Sequence, residues 1–70
     1  MFFGVHVIIN GEPQTLTEGL TIADLISQLG LNPRRIAIEL NREIIAGDDY
    51  GTCALRDGDC IEIVHFVGGG

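Results

Sequence analysis

Asp57-Gly58-Asp59-Cys60-Ile61-Glu62-Ile63-Val64-His65-Phe66-Val67 is a tight turn followed by a strand, and the place of that strand decides the fold. Side chains alternate between the faces of a strand, so one residue fixes the rest. Glu62 must avoid the core, because an unpaired buried carboxylate is costly. Val64 and Phe66 then point outward with it, while Ile61 and Ile63 point inward, with His65 at the end of their row.

Upstream of this strand the chain supplies two strand pairs and one helix. Val5, Val7 and Ile9 alternate with His6 and Ile8, and Asn10-Gly11 is the signature of a two-residue hairpin turn. Pro13 to Thr17 returns as a second strand, with Pro13 confined to its start or to an edge because it has no N–H for a ladder. Thr21 is the expected helix N-cap and Asp24 its capping-box partner. Ile22, Leu25, Ile26 and Leu29 form one apolar stripe; Gly30 and Pro33 end the helix. Ile36, Ile38 and Leu40 make a third strand, Asn41-Arg42 a turn, and Glu43 to Ile45 a short return, followed by an irregular stretch over residues 46–56.

Strand pairs on either side of a single helix require one sheet packed on that helix. In so small a sheet the first and last strands cannot both be orphan edges, so they lie side by side and parallel at its centre. The expected architecture is an α+β β-grasp: a mixed four- to five-stranded sheet on one main helix. Residues 1–67 form the domain and residues 68–70 a flexible tail.

Seventy residues make a single domain, and 46% hydrophobic content argues for a folded chain. Four Arg and no Lys stand against ten acids, a net charge of −6. That balance excludes a basic nucleic-acid footprint or a polybasic membrane anchor. Met1 to Ile9 is apolar but runs straight into a turn, without a basic leader or a small-residue cleavage site, so it reads as a strand and not a signal peptide. A cytoplasmic protein is expected. Cys53 and Cys60 are too few for a disulfide framework and wrongly spaced for a zinc knuckle. With His6 and His65 they are assigned to packing or surface, and no metal is expected.

If Val5, Val7 and Ile9 are buried, Ile8 joins Val64 and Phe66 on the outer face, with Ala37 beside Glu39 on the third strand. A contiguous apolar group there suggests a partner-docking surface that continues through Val67 into the tail. A closed two-faced sheet or a homodimer remains the alternative. The tail itself, Gly68-Gly69-Gly70, packs nothing. It is either a frayed end or a thread, since glycine passes through narrow channels and takes dihedrals closed to other residues. A terminal carboxylate is ionised and unreactive at neutral pH, and becomes electrophilic once activated as an acyl-adenylate. The chain has no catalytic triad, phosphate loop or metal set, which suits a substrate of catalysis better than a catalyst.

The segment Leu55 to Gly70 resembles the C-terminus of the sulfur carrier proteins of thiamine biosynthesis, the ThiS family. The likeness extends to the opening strand with Asn10-Gly11, the Thr21-Ile22-Ala23-Asp24-Leu25-Ile26 helix and the Ile36-Ala37-Ile38-Glu39-Leu40-Asn41 strand. It implies a ubiquitin-like fold and a carrier that is not itself an enzyme. Gly70 matches the glycine that is adenylated and converted to a thiocarboxylate, with Gly69 and Gly68 before it as tail-recognition residues and Phe66 and Val67 as the apolar approach. The implied partners are an adenylyltransferase of the ubiquitin-activating-enzyme type, a sulfur donor such as a cysteine desulfurase, and thiazole synthase. No cofactor is bound; the adenylyltransferase uses ATP. Phe2-Phe3-Gly4 makes a slightly long start, and neither cysteine belongs to the family's motif.

Asp57, Asp59 and Glu62 are expected to gather negative charge near the tail and steer it to a basic partner site. Two other functions stay open: a sulfur carrier for molybdopterin or cysteine synthesis, and a β-grasp interaction module with an idle tail.

Overall fold

A computed structural model describes residues 4–66. Its elements are β1 (Gly4–Ile9), β2 (Glu12–Thr17), α1 (Ile22–Gln28), β3 (Ile36–Leu40), β4 (Glu43–Ile45) and β5 (Cys60–His65). Short 3-10 turns cover Pro33–Arg35 and Gly47–Asp49. The sheet order is β2-β1-β5-β3-β4, with β1 and β5 parallel and every other neighbouring pair antiparallel. With α1 packed on one face, this is the α+β β-grasp expected from the sequence.

The first hairpin closes through Asn10 and Gly11, at φ 50° and 82°, the left-handed pair that matches the twist of the flanking strands. Pro13 lies opposite Ile8 on the edge strand. The Ile8 N–H is donated to the carbonyl of Asp59, the residue before β5, so Ile8 and Pro13 form a non-hydrogen-bonded pair and the missing proline N–H leaves no gap in the ladder.

Helix α1 begins with the reciprocal cap: the Thr21 hydroxyl accepts the Asp24 N–H at 3.1 Å, and the Asp24 carboxylate accepts the Thr21 N–H at 3.0 Å. The stretch over 46–56 is irregular yet does structural work. Its Tyr50 and Cys53 carbonyls accept the Ala23 and Ile22 N–H groups, which a helix start leaves without partners. At the other end Gly30, at φ 71°, donates to Ser27 and Leu31 donates to Ile26, the double bond pattern of a Schellman ending. That ending corrects the expected apolar stripe. Leu29 is the C-cap and is exposed, whereas the reversal at Gly30 turns Leu31 back onto the core.

Ile22, Leu25, Ile38 and Ile61 are almost completely buried and form the centre of the core. Each contributes about 1.5–3 kcal/mol by leaving water. Val7, Ile9, Leu16, Ile36 and Ile63 extend that core across the sheet; Val5 at the strand entrance is half-buried. Among the described residues no helix is long and apolar enough to cross a membrane.

Candidate functional site

The central strand β5 alternates as the sequence requires. Ile61 and Ile63 are buried against α1, and Glu62 and Val64 face the other way. The regular strand ends at His65, two residues earlier than expected. Phe66 nevertheless continues the ladder, donating its N–H to the Arg35 carbonyl at 2.9 Å. His65, at the end of the inward row and opposite buried Ile36, is exposed.

Register gives the layout of the outer face. Val64 stands opposite Ala37, Glu62 opposite Glu39, and Glu39 opposite Ile44; Ile8 stands beside Cys60. Ile8, Val64 and Phe66 are all exposed, at 42%, 53% and 61%. They do not form one patch. Ile8 lies four strand positions behind Val64, about 13 Å at 3.3 Å per residue, with the Glu39–Glu62 row between them. The apolar group at the tail root is therefore Val64, Phe66 and the half-buried Ala37, flanked by Ile44. Ile44 is the most exposed large apolar side chain of those described, at 79%. It was missed in the sequence because a three-residue strand shows too little alternation to fix its face.

The acids of the Asp57-Gly58-Asp59 turn are not beside Phe66, the last described residue before the tail, which corrects their place in the expected steering cluster. They sit at the start of β5, and Asp59 is about 23 Å of extended strand away from Phe66, well beyond the screening length at physiological salt. Both carboxylates organise the turn instead. Asp57 accepts the His6 N–H at 2.6 Å; Asp59 accepts the Arg56 N–H at 2.8 Å and the Asn41 carboxamide at 3.0 Å. The groups closest in the ladder to the tail root are Arg35 and its neighbour Arg34, both exposed.

Cys60 is exposed and Cys53 half-buried, both as free thiols; His6 and His65 are exposed. Among the described residues no three His, Cys, Asp or Glu side chains gather where they could hold a metal ion. Val67, Gly68, Gly69 and Gly70 lie outside the described residues.

The sequence and the fold are both shared with known proteins. The ThiS family model matches residues 7–70. The sulfur carrier protein ThiS of Thermus thermophilus is 38% identical over 64 residues, covering 91% of this chain and 98% of that protein. A thiazole synthase of Paramagnetospirillum magneticum is 41% identical over 66 residues, covering 94% of this chain; the chain spans 20% of that protein's length. Among solved structures, the crystal structure of the thiamine biosynthesis protein ThiS from Geobacter metallireducens superposes with a TM-score of 0.81 at 30% identity, covering 94% of this chain and 100% of that one. On the family match and the shared ubiquitin-like β-grasp fold together, this chain belongs to the ThiS family.

Proposed function

We propose that the chain is a sulfur carrier protein that delivers sulfur for thiazole formation in thiamine biosynthesis. The observation that carries this reading is that the family match runs through residue 70 and so takes in Gly68-Gly69-Gly70, a stretch with no use in packing a core.

The chemistry follows from the carboxylate of Gly70. An oxygen of the carboxylate attacks the α-phosphate of ATP, pyrophosphate leaves, and the acyl carbon becomes electrophilic. The outer sulfur of a persulfide on the donor then adds to that carbon and AMP leaves, giving an acyl persulfide; a thiol of the partner proteins attacks the inner sulfur, forming a disulfide there and releasing the thiocarboxylate. The chain provides no general base for these steps. Its contribution is delivery, since glycines at 68–70 let the backbone thread an enclosed channel where a Cβ would collide. An adenylyltransferase of the ubiquitin-activating-enzyme type supplies ATP and catalysis, a cysteine desulfurase or related donor supplies sulfur, and thiazole synthase consumes it. The need for ATP fits a carrier that works in the cytoplasm. Similarity to one part of a thiazole synthase supports that enzyme as a partner.

Docking falls to the outer sheet face, with Val64 and Phe66 nearest the tail and Ile8 further back, and Val67 follows Phe66 in the chain. A carrier must present one strand end and its tail together, and this face includes Phe66, the last described residue before the tail.

Intact mass spectrometry tests the reading. Incubated with adenylyltransferase, ATP and a sulfur donor, the chain gains the mass of sulfur less oxygen, located at Gly70. Deleting Gly70 abolishes the gain and leaves the fold unchanged. Absence of the gain with all components active rejects the carrier function.

A further inference from the structure

We infer that Arg34 and Arg35 form a basic collar at the base of the tail that docks on an acidic lip of the adenylating enzyme's tail channel. This inference rests on the carrier reading above.

The pair is built into the fold. Asn32 caps the short turn, its carboxamide oxygen accepting the Arg34 N–H at 2.9 Å, with Pro33 at the first position. Buried Ile36 anchors the following residue in β3. The Arg35 carbonyl holds the Phe66 N–H at 2.9 Å, so the two arginines are tied through backbone to the last described residue before the tail. Both side chains are exposed.

They are also out of place in the charge pattern. The chain carries −6, yet two of its four cations stand together here, and no acid occurs between Leu31 and Ile38. The carboxylates that make hydrogen bonds, Asp24, Asp57 and Asp59, accept them from the backbone N–H groups of Thr21, His6 and Arg56 and from the Asn41 carboxamide. Seating the tail root against a partner brings two guanidinium groups to the contact, and the partner must supply their counter-charges. The partner groups are protein carboxylates and not the phosphates of ATP, for a reason of length. From Phe66 to Gly70 an extended chain spans about 13–14 Å, so when Gly70 reaches the α-phosphate the collar is still at the channel mouth.

The test compares two double variants with equal change in net charge. R34E/R35E reverses the collar. R42E/R56E reverses Arg42, in the β3–β4 turn, and Arg56, before the turn into β5, at the far end of the sheet. Carrier-dependent ATP–pyrophosphate exchange by the adenylyltransferase is measured against carrier concentration at low and high salt. R34E/R35E raises KM for the carrier at least about tenfold at low salt, with kcat unchanged and the defect shrinking at high salt. R42E/R56E stays within about twofold of the unmodified chain. Equal effects from the two doubles, or a collar defect confined to kcat, overturn the proposal. Failure of the unmodified chain to support exchange instead rejects the carrier reading, and the collar with it. Matching circular dichroism melts establish that both doubles are folded.

Discussion

The Asn10 carboxamide oxygen accepts the Ile63 N–H at 2.7 Å, joining the first hairpin turn to the last strand across 53 residues. The β1–β5 ladder ends at the Ile9–Ile61 pair, and the Asn10 N–H adds one bond to the Ile61 carbonyl. The Asn10 side chain then takes the place of the next rung. It holds β5 where that strand leaves β1 and runs on toward the tail. Asn10→Gly keeps the left-handed backbone and deletes the acceptor, so it is expected to lose about 1–3 kcal/mol of stability. Asn10→Asp keeps an acceptor and retains most of it. Urea unfolding measures both, and equal losses in the two variants would show that the side-chain bond is unimportant.

Glu39 and Glu62 are directly opposite in the β3–β5 ladder and share the outer face. Like charges in that relationship oppose folding, so Glu62→Gln is expected to raise stability by about 0.2–1 kcal/mol. The gain should shrink as salt screens the pair. Denaturation at low and high ionic strength reads it, and a Gln variant no more stable than the parent at low salt removes the argument.

Much of this fold was legible because its signals are local and periodic. Asn10-Gly11, the Thr21–Asp24 box and the Ile61/Ile63 row against Glu62 each carry a geometry that tertiary contacts did not override. What was illegible depended on register. Ile44 shares a face with Glu39 only because a two-residue turn at Asn41-Arg42 sets their pairing. Arg35 reaches the tail root only through the last rung of β3 against β5. Leu29 fitted the helical period and was lost to the stripe by the Schellman reversal one residue later. The charge reading of Asp57 and Asp59 failed because nearness in sequence to the tail is distance along an extended strand.

Arg42 adopts φ 73° at the second position of the β3–β4 turn. Side chains with a Cβ are disfavoured there by about 1–3 kcal/mol, part of which glycine gives back through its freer unfolded chain. Arg42→Gly is therefore expected to stabilise the domain by about 0.5–1 kcal/mol. A lower thermal midpoint for this variant contradicts the assigned turn.

Asp24 has its carboxyl held below the ordinary value, chiefly by the Thr21 backbone N–H and then by the Thr21 side chain. A depressed folded-state pKa means the carboxylate adds stability above its unfolded pKa. That stability disappears as pH falls through the lower, folded value. Asp24→Asn is thus expected to be less stable than the parent at neutral pH, with the difference closing on acidification below the ordinary carboxylate range. Thermal melts over that range measure the convergence; a constant gap at every pH shows that Asp24 acts without its charge.

Phe66 and Val64 project from consecutive outward positions at the tail root, whereas Ile8 is about 13 Å behind them. If docking centres on the tail, binding energy concentrates at the first two. Phe66→Asp and Val64→Asp are each expected to weaken carrier binding to the adenylyltransferase by about 2 kcal/mol or more. Ile8→Asp, on the far side of the Glu39–Glu62 row, is expected to change it by less than about 0.5 kcal/mol. All three positions are exposed, and Phe66 keeps its backbone bond to Arg35 whatever its side chain, so folding survives each change. Titration calorimetry with the purified enzyme ranks the variants. An Ile8 defect larger than the Phe66 defect would move the docking centre to the β1 end of the sheet, where a partner could not follow the strand into its tail.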